Sequence, residues 1–204
     1  CEQYRRENHQ ESRFHDSFEF LPERGLISHL LENNEKTVVS FLLILGAHDD
    51  EVESPRDRKH SLLVSAMRMK DAGEIIQLLI NKGAAVNVPD VSGETPLWHA
   101  VNLRLEGVVN QLLDNGADIN ASNSDGETPL FLAVRGRGTG MMKLLLKRNA
   151  TVNVSGRWGW PPLTYASISG YTEAVGLLLD YDAEVDMVDG DGRTPLSYVP
   201  YNKG

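Results

Sequence analysis

The chain has 204 residues, and its 20 Lys+Arg against 29 Asp+Glu give a formal net charge of −9. This charge argues against general binding to nucleic acid or to a membrane surface, because phosphate-rich partners require clustered cations. The longest apolar run, residues 38–45, is too short to cross a bilayer. The single cysteine, Cys1, rules out an internal disulfide and favours a reducing, intracellular compartment, cytoplasmic or nuclear.

The first part of the chain is the least regular. Residues 1–23 are polar, and Phe14 and Phe18 are spaced for one helical face, so this segment is either a cap on a helical core or a tail. Residues 24–57 have the pattern of a degenerate helix pair with an acidic insertion at 49–55. We expect this insertion to be a solvated loop, since it lacks the spacing of a calcium loop. The Cys1 start and a final unit that is cut short suggest a fragment of a larger protein; a processed lipoprotein is the alternative for the start.

From residue 90 onward the sequence repeats every 33 residues without a change of register. The repeated features are a turn glycine, at Gly93, Gly126, Gly159 and Gly192, and a triplet that is Thr95-Pro96-Leu97, Thr128-Pro129-Leu130, Pro161-Pro162-Leu163 and Thr194-Pro195-Leu196. A fixed period of this length indicates stacked copies of one supersecondary unit. The preceding residues, 58–89, resume the same pattern from a weaker start.

Each unit contains the signals for a turn followed by two antiparallel helices. Thr95 is suited to cap the first helix, and Pro96 suits its first position because proline needs no hydrogen-bond acceptor there. Val108, Val109 and Leu112 place an apolar face on the second helix. Gly116 suits a left-handed helix end, and Asn149 and Asp182 replace it in the next two units.

These motifs resemble those of the ankyrin repeat family, with its G-x-T-P-L-H-x-A and L-L-x-x-G-A-D-hydrophobic-N signatures. The resemblance implies an all-α solenoid of helix-turn-helix units with β-turn or hairpin tips, and a concave side formed by the tips and first helices. After the first 23 residues, the predicted units are 24–57, 58–89, 90–122, 123–155, 156–188 and a truncated 189–204. Such arrays usually bind proteins, so the resemblance implies a non-catalytic scaffold or adaptor module. A regulatory or spacer array that binds the catalytic domain of a larger enzyme in cis is the alternative.

The sequence departs from the family pattern at two kinds of position. The histidine of T-P-L-H is replaced by Trp98, Phe131, Thr164 and Ser197. We therefore expect a hydrogen bond between neighbouring units to be lost and replaced by packing. Arg137 and Gly138 replace the usual Gly-His pair between two helices, which predicts a less stable turn.

The sequence offers no candidate active site. Its six histidines are scattered, and there is no H-E-x-x-H, C-x-x-C, G-x-S-x-G or G-K-S/T motif. His99 takes the place of a buried leucine in the family and is expected to be a packed side chain. The glycine-rich stretch 136–140 lacks a preceding strand and is expected to be a flexible turn. We expect no enzyme activity, no cofactor, no small-molecule substrate and no metal.

The resemblance also implies where a partner would bind, at the tip positions and near the end of the first helix that the scaffold leaves free. The candidate partner-binding residues are Asn102, Asp125, Arg135, Arg137, Arg157, Trp158, Trp160, Ile168 and Arg193. Trp158 and Trp160 are the most informative, because tryptophan is over-represented in binding hot spots. One of the two indoles folding back onto residues 161–162 is the alternative.

Charge is segregated along the chain. No acid lies between Glu127 and Glu173, while six Lys and Arg residues do. This segregation favours an acidic partner surface that is steered towards the units from 123 to 188. Lys143 and Lys147 lie on a predicted second helix, so the basic residues could be divided between two faces. Nucleic-acid binding through this segment is a less favoured alternative that predicts strong salt dependence.

Overall fold

The computed structural model describes residues 62–69, 72–156 and 159–198. Within these ranges it contains eight α-helices, no strand and a closing 3₁₀ helix. The helices are α1 (Leu62–Ala66), α2 (Ala72–Asn81), α3 (Pro96–Asn102), α4 (Glu106–Asp114), α5 (Pro129–Arg135), α6 (Thr139–Lys147), α7 (Pro162–Ile168) and α8 (Thr172–Asp180), and the 3₁₀ helix is Pro195–Tyr198. The expectations for residues 1–23, for the 24–57 unit and its insertion, and for Arg157 and Trp158 lie outside the described residues.

The first helix of a unit begins where the threonine and proline predict it. The Thr95 Oγ1 atom accepts a hydrogen bond from the backbone N–H of Trp98 at 3.2 Å, and Thr128 Oγ1 accepts one from Phe131 at the same distance. A proline follows each cap at the first helical position. Pro161 precedes α7 instead of a threonine and provides no side-chain cap. The proposed capping chemistry is therefore confirmed in two units and absent from the third.

The helices form two parallel layers. The first helices α3, α5 and α7 pack side by side, and the second helices α2 and α4, and α6 and α8, do the same. Leu97, Leu130 and Leu163 are at most 4% exposed, and they lie one behind the other in successive units. The core is thus continuous along the stack, as expected when each unit covers its neighbour. No helix in the described ranges has the length and apolar character needed to cross a membrane.

Side-chain amides connect the loops of successive units. The Asn87 Nδ2 atom donates to the Gly116 carbonyl at 2.9 Å, and Asn87 Oδ1 accepts from the Asp118 backbone at 2.8 Å. Asn120 accepts from the Thr151 backbone at 2.8 Å, one unit further on. These bonds give backbone groups at the exposed helix ends and loops partners that the short helices cannot supply, and they join each unit to the next.

The turn glycine Gly93 is required at its tip by both conformation and space. Gly93 has φ +75°, and a Cβ atom built there would lie 2.8 Å from the backbone nitrogen of Ser124 in the next tip. Asn149 and Asp182 adopt φ values of 64° and 61°, which confirms them in the helix-ending role that Gly116 has at φ 82°. Tip-to-tip spacing is therefore set by residues that sequence alone identifies.

Candidate functional site

One face of the stack combines three positions from each unit, and we call it the inner face. The first is the residue that follows the turn glycine, and the other two are three residues apart on the first helix, so they point the same way. The inner face consists of Glu94, His99 and Asn102, then Glu127, Leu132 and Arg135, then Trp160, Tyr165 and Ile168, then Arg193 and Tyr198. In each of these four units the tip residue contacts a helix residue of the same unit.

The 90–122 unit presents two carboxylates and an imidazole. The His99 Nε2 atom lies 3.1 Å from Asp90 Oδ2 and 3.7 Å from Glu94 Oε2. Asp90 Oδ1 accepts hydrogen bonds from the backbone N–H groups of Ser92 at 2.8 Å and Glu94 at 3.0 Å. Burial by itself would raise the pKa of Asp90, but these two backbone bonds and the bond to His99 outweigh it and lower the pKa. His99 is therefore a partly buried, hydrogen-bonded residue and does not pack like the leucine that it replaces.

The 123–155 unit presents an ion pair. The Arg135 guanidinium lies 3.1 Å from Glu127 Oε2, and the Glu127 side chain is only 2% exposed. Arg135 ends α5 and reaches back across the helix to the tip. Because the pair joins a buried carboxylate to a half-exposed cation, breaking it would leave a buried charge. Arg135 therefore stabilises the unit in addition to any contact with a partner.

The 156–188 unit presents aromatic rings. Trp160 is half-buried, with its ring centroid 6.5 Å from that of Tyr165 and 6.1 Å from that of Tyr198. Tyr165 in turn packs edge-on against Phe131 at 5.3 Å. The Arg193 guanidinium lies 5.8 Å from the centroid of the Tyr198 ring. We call Trp160, Tyr165, Tyr198 and Arg193 the aromatic ledge.

A glycine makes room for the aromatic ledge. Asp90, Asn123 and Asp189 begin the other tips, and each accepts two backbone N–H bonds through its Oδ1 atom. Gly156 occupies the same position, where a Cβ atom would lie 2.7 Å from Cδ2 of the Phe131 ring. The ring thus uses the space that a polar side chain has elsewhere.

The last tip again uses an aspartate. Asp189 Oδ2 accepts a hydrogen bond from the Tyr198 hydroxyl at 2.5 Å. This bond, followed by the backbone N–H of Arg193, lowers the pKa of Asp189, and the same bond raises the pKa of Tyr198. The carboxylate therefore fixes one ring of the aromatic ledge.

Among the predicted partner-binding residues, some are exposed to solvent, whereas Trp160 is half-buried. Asn102, Asp125 and Arg193 are exposed, and Ile168 is 37% exposed at the end of α7. Trp160 and Arg193 meet at Tyr198, so the structure brings these two together. Their role in binding stays a prediction.

Arg137 lies in the turn between α5 and α6, with φ 52°. Its Nη2 atom donates to the Ser169 carbonyl at 2.8 Å, and its guanidinium lies 5.3 Å from the Tyr171 ring centroid. Arg104 does the same one unit earlier, donating to Gly136 at 2.5 Å. Arg137 thus connects neighbouring units, and it uses its guanidinium for that purpose.

The basic segment is divided between two layers. Arg135 ends α5, a first helix, whereas Lys143 and Lys147 are exposed on α6, a second helix. Arg148 pairs with Asp114 of the preceding unit. The cations therefore do not form one continuous patch among the described residues.

Packing replaces the expected histidine hydrogen bond between units. The Trp98 Nε1 and Thr164 Oγ1 atoms are buried and have no hydrogen-bond partner. Phe131, at the same position, contacts the next tip through its ring. The expected hydrogen bond between units is therefore absent at Trp98, Phe131 and Thr164, and the Ser197 hydroxyl pairs with Thr194 Oγ1 of its own unit at 3.1 Å.

Stacked helix pairs with a 33-residue period, whose loops are joined by hydrogen bonds from one unit to the next, define a helical repeat protein. The family model for ankyrin repeats matches residues 27–123 and 105–189. The chain belongs to the ankyrin repeat family, whose members are generally protein-interaction modules and typically non-catalytic. A comparison with curated proteins found no match.

Two features of the inner face escaped prediction from sequence. These are the burial of Glu127 under Arg135 and the convergence of Asp90 and Glu94 on His99. The signal was present in the register, since the fifth residue of a unit lies near its tenth residue in the 90–122 unit and near its thirteenth in the 123–155 unit. The family motifs specify the neighbouring turn glycine and cap residues, and they leave the positions of Glu94 and His99 unspecified.

Proposed function

We propose that this chain is a non-catalytic scaffold or adaptor module that binds a partner protein along its inner face. The observation that carries the proposal is the change in that face from polar bracing to an aromatic ledge. Asp90 and Asn123 hold their tips with side-chain hydrogen bonds, whereas Gly156 supplies none and Trp160 replaces a carboxylate. The fold does not require this change, because the other tips form without it.

The aromatic ledge has the composition of a binding hot spot. Tryptophan, tyrosine and arginine dominate hot spots because they combine large apolar area with directed polar groups. Trp160 and Tyr198 are half-buried, so each presents part of its ring while its neighbours fix its orientation. Ile168, three residues after Tyr165, adds exposed apolar surface on the same helix face.

Charge favours a partner with both apolar and acidic groups. No acid lies on the chain between Glu127 and Glu173, the segment that contains Trp160 and Ile168. The Arg193 side chain beside the ledge is 59% exposed, and its ion pair with the exposed Asp191 is long at 3.9 Å. The partner would place an apolar residue against Trp160 and Ile168, and a carboxylate near Arg193. At the far end of the face Asp90 and Glu94 disfavour a second acidic group.

The test is binding of a partner isolated with the full chain and measured by calorimetry. Trp160→Ala is expected to weaken binding at least about 30-fold, the affinity change for a hot spot of roughly 2 kcal/mol. Trp160→Phe keeps a ring between Tyr165 and Tyr198 and separates lost recognition from lost packing. Lys143→Ala, on the opposite layer, is expected to bind as the wild type does. Unchanged affinity in Trp160→Ala, or a loss confined to Lys143→Ala, would place the site elsewhere.

A further inference from the structure

We propose that Asp90, Glu94 and His99 bind a divalent transition-metal ion, with Zn²⁺ as the best fit. The three donor atoms lie within 4.8 Å of one another on the inner face of the 90–122 unit. This proposal departs from the sequence-based expectation of no metal, and it does not depend on the partner-binding proposal.

The two separations between the imidazole nitrogen and the carboxylate oxygens are close to those around a small tetrahedral ion, and the two carboxylate oxygens lie within 4.8 Å of each other. Zinc binds imidazole nitrogen and carboxylate oxygen at about 2.0–2.2 Å, so two ligands of one ion lie roughly 3.3 Å apart. The observed separations are 3.1 Å from His99 Nε2 to Asp90 Oδ2 and 3.7 Å to Glu94 Oε2. Calcium is a poorer fit, because it prefers six to eight oxygen ligands.

Backbone hydrogen bonds already orient the Asp90 carboxylate so that one of its oxygens could coordinate the ion. Its Oδ1 atom is held by the backbone N–H groups of Ser92 and Glu94, and its Oδ2 atom faces the imidazole. The Asp90 side chain is only 7% exposed, whereas that of His99 is 15% exposed and that of Glu94 is 23% exposed. Hydrogen bonds to the second oxygen of a ligating carboxylate are the usual support of a metal site.

The tip itself does not require this convergence. Asp189 and Tyr198 occupy the positions of Asp90 and His99, and their hydrogen bond holds an equivalent tip. A bond between the first and tenth residues is therefore sufficient for the turn. Glu94 adds a second carboxylate at 3.7 Å from the same nitrogen, a distance too long for a hydrogen bond between these two atoms.

Among the units that the structure describes, only the 90–122 unit has this trio. The same three positions hold Asn123, Glu127 and Leu132 in the next unit, and Gly156, Trp160 and Tyr165 in the one after. Neither set combines two carboxylates with an imidazole. Three protein ligands around zinc would leave a fourth position for water.

Binding would replace the hydrogen bond between His99 and Asp90. The imidazole must be neutral, with its hydrogen on Nδ1, so that the Nε2 lone pair can coordinate the ion. Affinity is therefore expected to fall as the pH is lowered, because a protonated imidazole cannot coordinate.

The test is titration of the full chain with zinc chloride by calorimetry, and with cobalt(II) by visible absorption. Because five further histidines and Cys1 are present elsewhere in the chain, the decisive comparison is between variants. His99→Gln is expected to remove one equivalent of bound zinc. Glu94→Gln is expected to weaken that equivalent at least about 10–100-fold, the effect of losing even an outer supporting group. Glu173→Gln, an exposed acid at the start of α8, is the matched control and should bind as the wild type does.

Circular dichroism is the control that each variant keeps the helical content of the wild type. Glutamine is chosen for position 99 because its side-chain amide can still donate a hydrogen bond to Asp90. Equal stoichiometry and affinity in wild type and His99→Gln would overturn the proposal. A loss in His99→Gln without any change in Glu94→Gln would also overturn the three-ligand site. A tetrahedral cobalt spectrum in the wild type that disappears in both variants would support it.

Discussion

The tips that begin at Asp90 and at Gly156 have the same backbone turn but are held by different side-chain interactions. Asp90 N donates to the Glu94 carbonyl at 3.0 Å, and Gly156 N donates to the Trp160 carbonyl at 2.9 Å. Around the first turn, the Asp90 carboxylate and the Thr95 hydroxyl supply the hydrogen bonds. Around the second turn, Phe131 fills the space and Pro161 provides no side-chain cap.

The turn is therefore held either by side-chain hydrogen bonds, the polar bracing, or by a packed ring, and this alternative determines which side chains lie on the inner face. Polar bracing produces a cluster of carboxylates with an imidazole at one end. Ring packing produces the aromatic ledge at the other. A single scaffold thus presents two chemically distinct surfaces without a change of backbone.

The largest expected effect comes from removing the ring. Phe131→Ala should lower the free energy of unfolding by about 3–5 kcal/mol, the usual cost of truncating a fully buried aromatic residue. Phe131 is 0% exposed and contacts both Gly156 and Tyr165. Urea unfolding of the full chain measures the change. A loss below about 1 kcal/mol would mean that the ring does not support the second tip.

A smaller loss is expected when a methyl group is added opposite the ring. Gly156→Ala should cost about 1–3 kcal/mol, because its Cβ would lie 2.7 Å from a Phe131 ring carbon. In a Phe131→Ala background the same change should cost much less, since the clash has been removed. Additive costs in this double-mutant cycle would contradict the proposed packing.

The control for Gly156→Ala is Gly107→Ala in α4. No atom lies within 4 Å of a Cβ built at Gly107. The change should therefore be neutral or stabilising by up to about 1 kcal/mol, since alanine has the higher helix propensity.

Loss of the threonine cap in the intervening 123–155 unit, whose tip is also held by polar side-chain hydrogen bonds, should cost about 1 kcal/mol. Thr128→Ala removes the hydroxyl that accepts from the Phe131 backbone N–H. Thr128→Ser keeps that hydroxyl and should retain most of the stability in the same urea experiment. If serine and alanine were equally destabilising, the threonine would act through its methyl group and not through the cap.

The smallest expected effect is a change in pH dependence. The pKa of Asp189 is lowered in the folded chain, mainly by the Tyr198 hydroxyl, below its usual value of about 3.9. The folded state therefore binds fewer protons, and this contribution is present above that pH and lost as the pH falls through the folded pKa. Tyr198→Phe should reduce the loss of stability on acidification, measured as the urea midpoint against pH. An unchanged slope would show that the bond does not perturb the carboxyl group.

Much of the fold was predictable because the repeat register fixes local chemistry. The turn glycines, the threonine caps and the helix-ending Asn149 and Asp182 all require backbone states that only certain residues favour. A period of 33 residues then specifies which faces must stack.

The inner face was less predictable, because its contacts depend on rotamers and on neighbouring units. Arg137 stands at a position associated with partner contacts, yet it binds the Ser169 carbonyl of the next unit. The sequence favours Trp160 as an anchor, but its packing between Tyr165 and Tyr198 requires a ring from the following unit. The sequence places these residues in register without specifying which side chains meet.

Site-specific photo-crosslinking tests most directly whether the inner face receives a partner protein. A photoreactive phenylalanine analogue is placed at Ile168 on α7, or at Lys143 on α6 as the control on the opposite layer. The purified complex is then irradiated. We predict a covalent adduct with the partner from position 168 and none from position 143. An adduct from position 143 alone would contradict binding at the inner face.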